Sequence, residues 1–405
     1  MTEYEKSKLS RLLKTLKQRS GFASHESTSE GISDDVPLDG DAALARISSA
    51  LARIPGDEIG DPVAFAKAKD LLLQHSATTL KRAERDDFPI LFDDNDLGNL
   101  EAIVTVDGSR PSLMLRGGKI FPDHPFLGNW RNDVLGLSTA ITRCAASVGR
   151  IEPNNGSSSK NFGTGFVFDL ELGLVMTAGH VLRDIKKHLG RAVAEKNGVS
   201  GFSDDVAIDF NAEISSESKR RLKVVAGTPV GQGGFDAAVL KIRPFIQGEA
   251  GLGHEKISEI PAGLDLRPER PSKGRLISGT FCLIGFPGLV PPPGWRGEAE
   301  DRVDWSWVTY QLMGGQHGVK RLAPGIVLRQ PGTILELEQK RRFEHDATSL
   351  NGNSGSPIIA WRDSDEPVFG MHISGTTLVG NYAEWLPEMK ADLDRAVDLM
   401  RIWRE

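Results

Sequence analysis

The chain has 405 residues, a length that predicts two or three domains rather than one small core. Hydrophobic residues make up 39% and charged residues 26%, as in an ordinary globular protein, and no window holds the roughly 18 apolar residues that a membrane span needs. A formal net charge of −6 argues against a general nucleic-acid-binding protein, so neither a nucleic acid nor a membrane is expected as a partner.

The first residues, Met1 to Lys8, hold no apolar run like that of a signal peptide, which favours a cytoplasmic protein. The sequence contains two cysteines, Cys144 and Cys282. The sequence leaves open whether a disulfide bridge joins them. Two buried thiols fit the pattern better, because free cysteine is commonly a small core residue.

Residues 1–41 form a charged segment. Leucines at helical spacing predict an amphipathic helix over 4–18. The stretch over 19–41 is rich in Ser, Gly and acidic residues, a composition that predicts a flexible linker.

Residues 42–90 predict a helical module. Asp41 is expected to cap a helix over 42–54, and a proline is expected to start a second helix over 62–84. These helices hold no catalytic motif, yet their apolar faces need a partner surface. We therefore expect residues 1–90 to bind a regulatory protein, or to dock on the rest of the chain and restrain it.

Residues 91–148 predict a hairpin and a helix that lead into the next domain. Strand-like runs over 99–106 and 111–116 flank the turn signal Asp107-Gly108. A helix is predicted over 129–147.

Short β-like segments recur from residue 147 onwards. They lie over 147–151, 164–169, 174–178, 206–210, 222–226, 237–242, 279–287, 305–312, 325–328, 334–338, 357–361 and 368–373. Two stretches between them, roughly 245–272 and 288–304, exceed the usual loop length, and residues 384–403 predict a closing helix.

Three motifs in this β-rich part carry residues suited to nucleophilic catalysis. The stretch Gly352-Asn353-Ser354-Gly355-Ser356-Pro357 places a serine between glycines, as on a tight turn with free amide groups nearby. Upstream lie Thr177-Ala178-Gly179-His180 and Asp236-Ala237-Ala238-Val239-Leu240. The chain order His, Asp, Ser is one of the orders in which a serine triad occurs.

Together these motifs resemble those of trypsin-like serine proteases of the chymotrypsin fold, closest in style to bacterial glutamyl endopeptidases and HtrA-type proteases. The resemblance covers roughly residues 149–385. It implies a mainly β fold of two packed six-stranded antiparallel β-barrels, the first over 149–272 and the second, with a C-terminal helix, over 273–405. The implied activity is that of an intracellular serine endopeptidase without cofactor or metal ion. Its substrate is a protein or peptide, with a narrow or regulated target.

The resemblance also implies the catalytic roles. Ser354 is the candidate nucleophile and needs a neighbouring base, because a free hydroxyl is a poor nucleophile at neutral pH. His180 is the candidate base, and Asp236 would hold its ring in the correct tautomer. By their place in the motif, the amides of Gly352 and Ser354 would form the oxyanion hole.

Three other carboxylates, Asp204, Asp205 and Asp209, are rivals for the acid, because they too flank an apolar strand. Asp236 is preferred, since the segment after it matches the family motif better. Asn353 stands where digestive trypsins carry an Asp that pairs with a newly cut N-terminus. The resemblance therefore implies no activation switch of that kind.

The specificity pocket follows from motif spacing within the resemblance. It places Thr348, Ser349, His372 and Gly375 around the substrate side chain. A histidine with two hydroxyls suits an acidic or glutamine side chain, and there is no Asp in the pocket for Lys or Arg. A satisfied core histidine is the other interpretation of His372.

Two other functions compete with the endopeptidase. One is a catalytically restrained pseudoprotease, or binding module, in a regulatory or defence complex. The other is an esterase of the α/β-hydrolase type. The residue order speaks against the esterase, as does Pro357-Ile358-Ile359, which continues as a strand where that fold has a helix.

Overall fold

The computed structural model describes residues 3–22, 38–84, 92–154, 161–202, 206–216, 220–231, 234–245, 260–266, 280–288, 298–299, 302–331, 341–361, 367–376 and 380–404. Within these ranges two antiparallel sheets carry the site discussed below, and the N-terminal helices pack beside the second sheet.

Four α-helices begin the described part of the chain. They are α1 Glu3–Phe22, α2 Gly40–Leu51, α3 Pro62–Glu84 and α4 Asp94–Val106. The side chain of Asp39, not the predicted Asp41, caps α2 by accepting a hydrogen bond from the Ala42 amide. The third helix has its predicted bounds.

The predicted strand over 99–106 is wrong, because these residues belong to α4. Asp93 and Asp96 form a reciprocal capping box at its start. Nearly every residue from Asp96 to Val106 is buried, since α1 and α3 pack against this helix. A helix buried on all sides is apolar at most positions, so its sequence pattern does not distinguish it from a buried strand.

Three shorter elements lead into the first barrel. They are β1 Leu113–Met114, α5 Arg131–Gly136 and α6 Ser138–Ala146. The predicted strand over 111–116 is thus reduced to two residues. The predicted helix over 129–147 is divided at Leu137, whose backbone leaves the helical region.

The first barrel is built from six strands that close a ring. Its elements are β2 Val148–Pro153, β3 Gly163–Asp169, β4 Leu174–Ala178, α7 Gly179–Leu189, β5 Val193–Lys196, β6 Val199–Phe202, β7 Val206–Asp209, β8 Arg221–Pro229 and β9 Ala237–Arg243. The ring runs β8-β7-β2-β3-β4-β9 and closes because β9 pairs back with β8. The β5–β6 hairpin extends the sheet from β8.

The second barrel closes in the same way. Its elements are β10 Thr280–Gly285, β11 Glu298–Ala299, β12 Arg302–Val303, α8 Trp305–Leu312, β13 Arg321–Arg329, β14 Arg342–His345, β15 Pro357–Ile359, β16 Val368–Thr376, β17 Gly380–Trp385 and α9 Leu386–Ile402. Six strands form the ring β13-β10-β15-β16-β17-β14, and β14 pairs back with β13. The predicted pair of six-stranded antiparallel barrels with a C-terminal helix is confirmed.

Another predicted strand, over 305–312, is wrong because these residues form α8. The Asp304 side chain caps this helix by accepting from the Trp307 amide. The predicted strand over 334–338 lies outside the described residues, as do most of the long loops predicted over 245–272 and 288–304.

The N-terminal helices pack on the second barrel through α8 and the turn that follows it. Trp305 lies against Gly98 of α4, and its indole N–H donates to Asn95 Oδ1 at 2.6 Å. The Gly60 amide donates to the Gly314 carbonyl at 2.7 Å. Strand β1 adds to the edge of β13. The helices therefore share buried surface with the barrel.

Cys144 and Cys282 are both free and buried. Burial raises the pKa of Cys144 to about 11 and raises that of Cys282 well above its ordinary value. Of the helices in the described ranges, none is long and apolar enough to cross a bilayer.

Candidate active site

Strand pairing in the first barrel brings His180 and Asp236 together. His180 follows β4 in the first turn of α7, Asp236 directly precedes β9, and the two strands are paired with Ala178 opposite Ala237. His180 Nδ1 lies 2.6 Å from Asp236 Oδ2. The His180 amide donates to Asp236 Oδ1 at 2.9 Å, so the carboxylate holds both the ring and the backbone.

Two basic side chains, His180 and Arg183, contact the carboxylate of Asp236. Burial alone would raise the pKa of Asp236, but the hydrogen bond and charge of His180 and the charge of Arg183 lower it below its ordinary value. Arg183 Nη2 lies 3.2 Å from Asp236 Oδ1. Asp236 is therefore ionised at neutral pH, as a group that stabilises an imidazolium must be.

Glu384 on β17 connects the second barrel to this pair. Its Oε1 accepts from the backbone N–H of Asp236 at 3.1 Å and from Arg342 Nε at 3.0 Å. The Glu384 side chain is fully buried, and burial raises its pKa despite these two donors. Asp236 is thus held from both barrels.

Ser354 lies on the turn between β14 and β15. Gly352 and Gly355 have φ values of 95° and 91°, a region that favours glycine. A Cβ on Gly355 would also clash with the Thr164 carbonyl oxygen. The Ser354 carbonyl accepts from the Thr164 amide at 2.8 Å, and the turn therefore lies against the first barrel.

The Ser354 hydroxyl faces the second barrel. Its Oγ donates to the Ile373 carbonyl at 3.3 Å. Gly355 approaches the Ala178 amide, two residues before His180, so the serine turn and the histidine meet in the crevice between the barrels. Among the described residues, Ser354 Oγ has no hydrogen bond to the His180 ring.

Thr164 braces the backbone on both sides of Asn353. Its hydroxyl donates to the Gly352 carbonyl at 2.9 Å and accepts from the Phe286 amide at 3.1 Å. The Thr164 carbonyl accepts from Thr177 Oγ1 at 2.6 Å. This buried residue fixes the two positions whose amides are the candidate oxyanion-hole donors.

Three of the four predicted pocket residues line one cleft, whose volume is about 190 Å³: Thr348, Ser349 and Gly375. Ser349 Oγ donates to Asn381 Oδ1 at 2.7 Å, and Asn381 Nδ2 donates to the Ala347 carbonyl at 2.8 Å. Thr348 Oγ1 donates to the carbonyl of Arg110 at 2.5 Å. The N-terminal part of the chain therefore contacts the base of the predicted pocket.

The fourth predicted pocket residue, His372, is not on the wall of this cleft. It is 2% exposed, and its Nδ1 lies 3.0 Å from Nε2 of the equally buried His345. Burial, together with the charge of His180, lowers the pKa of His372 to about 3. Its burial beside the aromatic core of the second barrel fits the other interpretation, that of a satisfied core histidine.

The rival acids do not lie at His180 as far as the structure describes them. Asp209 is buried in β7 and accepts from the amides of Asn211 and Arg220. Asp204 and Asp205 lie outside the described residues.

Sequence reasoning missed four residues of this region. Thr164 lies in the Gly163-Thr164-Gly165 stretch, where a hydroxyl between two glycines was the available signal. Glu384, Asn381 and Arg110 carry no local signal, because their partners are distant in the chain.

Comparison with known proteins agrees with this architecture. The trypsin-like peptidase domain matches over residues 163–371. A probable serine protease of Lysobacter enzymogenes is 33% identical over 377 residues, covering 90% of this chain and 91% of that protein.

Solved structures with some likeness include two bacterial proteases. The active form of the Rv3671c protease of M. tuberculosis has 16% identity and a TM-score of 0.33, over 64% of this chain and 83% of its own. The VesB protease of Vibrio cholerae has 9% identity and a TM-score of 0.38, over 62% of this chain and 64% of its own. Because of the domain match and the 33% identity to the Lysobacter protein, this chain belongs to the family of trypsin-like serine peptidases.

Proposed function

We propose that the protein is a serine endopeptidase that cleaves a peptide bond through Ser354, His180 and Asp236. The observation that carries this proposal is the 2.6 Å contact between His180 Nδ1 and Asp236 Oδ2 in the crevice that also holds the serine turn. The half-buried, ionised Asp236 leaves the other ring nitrogen of His180 as the proton acceptor.

The reaction has two acyl-transfer steps. Ser354 Oγ bonds to the carbonyl carbon of the scissile peptide while its proton passes to His180 Nε2. The tetrahedral intermediate collapses, the C–N bond breaks, and the leaving amine takes the proton from His180. Water then attacks the ester with His180 again as base, which releases the acid and restores Ser354.

The developing oxyanion needs donors that are in place before the reaction. The amides of Gly352 and Ser354 would supply them, and Thr164 supports this role because it fixes the adjoining carbonyls. Each such donor is worth about 10²–10³ in turnover. Proton transfer also requires the Ser354 hydroxyl to leave the Ile373 carbonyl.

A restrained protease in a regulatory complex is the second candidate. The bond from Ser354 Oγ to the Ile373 carbonyl favours it, because that bond holds the nucleophile away from its base. The helices of residues 1–90 give such a restraint a physical route to the site. For the partners, we correspondingly propose a narrow or regulated protein target and a regulatory protein that binds to these helices.

Labelling with a fluorophosphonate separates the two candidates. An active endopeptidase should be modified at Ser354, and Ser354→Ala and His180→Ala should remove the label. An unlabelled wild-type protein with a normal melting curve would favour the restrained form. Comparing newly formed termini in cells that express wild type or Ser354→Ala would then identify the substrate.

A further inference from the structure

The cleft at the predicted specificity pocket continues under the N-terminal helices. Ser349, Gly375 and Asn381 of the second barrel line it together with Arg11 of α1 and Arg110, which follows α4. A substrate side chain that passed Ser349 would therefore meet residues of the N-terminal part of the chain.

The histidine expected to bind an acidic side chain cannot supply a positive charge. With a pKa of about 3, His372 is neutral at physiological pH, and it is buried behind the cleft. Selectivity for a carboxylate needs a cation or several donors, since an isolated buried charge is costly. Any such cation must come from another residue.

Arg110 lies at the right place for this role. Its carbonyl accepts the Thr348 hydroxyl at 2.5 Å, which fixes its backbone beside the pocket. Arg110 Nε lies 3.3 Å from Asp346 Oδ2, and the Arg110 side chain is 14% exposed. Arg110 Nη2 also donates to Thr15 Oγ1 at 3.5 Å. Because a guanidinium has five N–H donors, it can bind a second carboxylate.

The cleft is lined by basic and acidic side chains in ion pairs. Within the described residues, each of three basic side chains that line the cleft forms an ion pair with an acidic one: Lys8 with Glu101, Arg11 with Glu344 and Arg110 with Asp346. Burial raises the pKa of Asp346, and the charge of Arg110 opposes this shift. A carboxylate that entered the cleft could therefore bind through N–H donors that these pairs leave over.

We propose that Arg110, which the N-terminal part of the chain brings to the pocket, is the residue that recognises an acidic side chain directly before the scissile bond. This proposal rests on the endopeptidase function proposed above. In it, Ser349 and Asn381 shape the pocket, and Arg110 supplies the charge. The N-terminal helices thereby determine specificity as well as covering barrel surface.

The test uses the full-length protein and three peptides that differ only in Glu, Gln or Lys before the cut bond. Wild type should cleave the Glu peptide with the highest kcat/KM. Arg110→Gln should lower the Glu-to-Gln ratio by about 10- to 100-fold, the worth of a charge-assisted hydrogen bond. Arg110→Glu should shift preference towards Lys. Arg116→Gln is the matched control, because this exposed arginine nearby in the chain pairs with Asp57.

The ratios remain informative if a variant is unstable, because both peptides are cut by the same enzyme. Should Arg110→Gln fail to fold, Arg110→Lys should keep a Glu preference while weakening it. A wild-type preference for Lys, Arg or Phe, or an Arg110→Gln ratio equal to wild type, would overturn the proposal while the endopeptidase stands. If no peptide is cut and fluorophosphonate does not modify Ser354, the proposed endopeptidase function is wrong, and the proposal for Arg110 is wrong with it.

Discussion

Replacing Thr164 by valine should damage catalysis and stability together, although Thr164 is not one of the three proposed catalytic residues. Valine keeps the shape of the side chain but removes the hydroxyl that bonds to the Gly352 carbonyl and the Phe286 amide. A buried N–H left without an acceptor costs about 1–3 kcal/mol, and the second lost hydrogen bond adds about 1 kcal/mol. The free energy of unfolding should therefore fall by about 2–4 kcal/mol.

The effect on catalysis follows from the position of Gly352. Without its hydrogen bond to Thr164, the peptide that joins Gly352 to Asn353 is free to turn, and the adjoining peptide that carries the Gly352 N–H loses this support. Loss of one such donor lowers turnover by about 10²–10³, so partial loss of its alignment should lower kcat by at least about 10-fold. KM should change little, because an oxyanion donor acts chiefly on the transition state.

Urea unfolding and steady-state kinetics on a peptide substrate measure both effects. Thr164→Ser is the matched control, because it retains the hydroxyl and loses only a methyl group. It should keep most of the stability and of the kcat. The reasoning is refuted if Thr164→Val has wild-type kcat, or if Thr164→Ser is as impaired as Thr164→Val.

Other predictions follow from buried groups and from the N-terminal contacts. A chain that starts at Leu91 lacks α1 to α3, so Trp305 loses covering surface. The melting temperature of this shortened protein should fall by several degrees, or the protein should aggregate. An unchanged melting curve would contradict this. His372 has a pKa of about 3 when folded and about 6.5 when unfolded, so it binds a proton only on unfolding at intermediate pH. Between pH 8 and pH 5, protonation of His372 in the unfolded chain should lower the free energy of unfolding by about 2 kcal/mol. Urea titrations of His372→Gln should show a smaller fall, because this contribution is absent. The raised pKa values of Cys144 and Cys282 predict that neither thiol reacts with iodoacetamide in the native protein and that millimolar reductant leaves activity unchanged; mass spectrometry that found a bridge would contradict this.

The sequence predicted best what short contiguous segments encode. The two barrels follow from recurrent β segments and from motifs that each lie within one turn or strand end. The contact between His180 and Asp236 could be expected because both residues border β-like segments. Their pairing in the structure, with Ala178 opposite Ala237, positions the two side chains.

Prediction failed where helices bury all their faces. The runs around Ile103 and Thr309 look like strands because α4 and α8 are largely buried, partly against each other, and are apolar around much of their circumference. Gly98 allows the close approach of Trp305, which neither local pattern reveals. Both errors therefore concern one helical interface.

The remaining site residues could not be predicted, because tertiary contacts define them. Arg110 and Thr348 are 238 positions apart, yet a hydrogen bond joins them at the predicted specificity pocket. His372 matched the motif spacing for a substrate ligand, but its hydrogen bond to His345 and its burial place it in the core. Motif spacing fixes the backbone position and leaves the direction of the side chain to packing.

The most direct test of the account measures peptide hydrolysis by Asp236→Asn beside Asp205→Asn. If Asp236 holds His180 in the correct tautomer, Asp236→Asn should lower kcat by about 10⁴, the loss that a wrong tautomer causes in a serine triad. Asp205→Asn should retain most of the activity. Near-full activity of Asp236→Asn, with activity abolished in Asp205→Asn, would contradict the proposed triad.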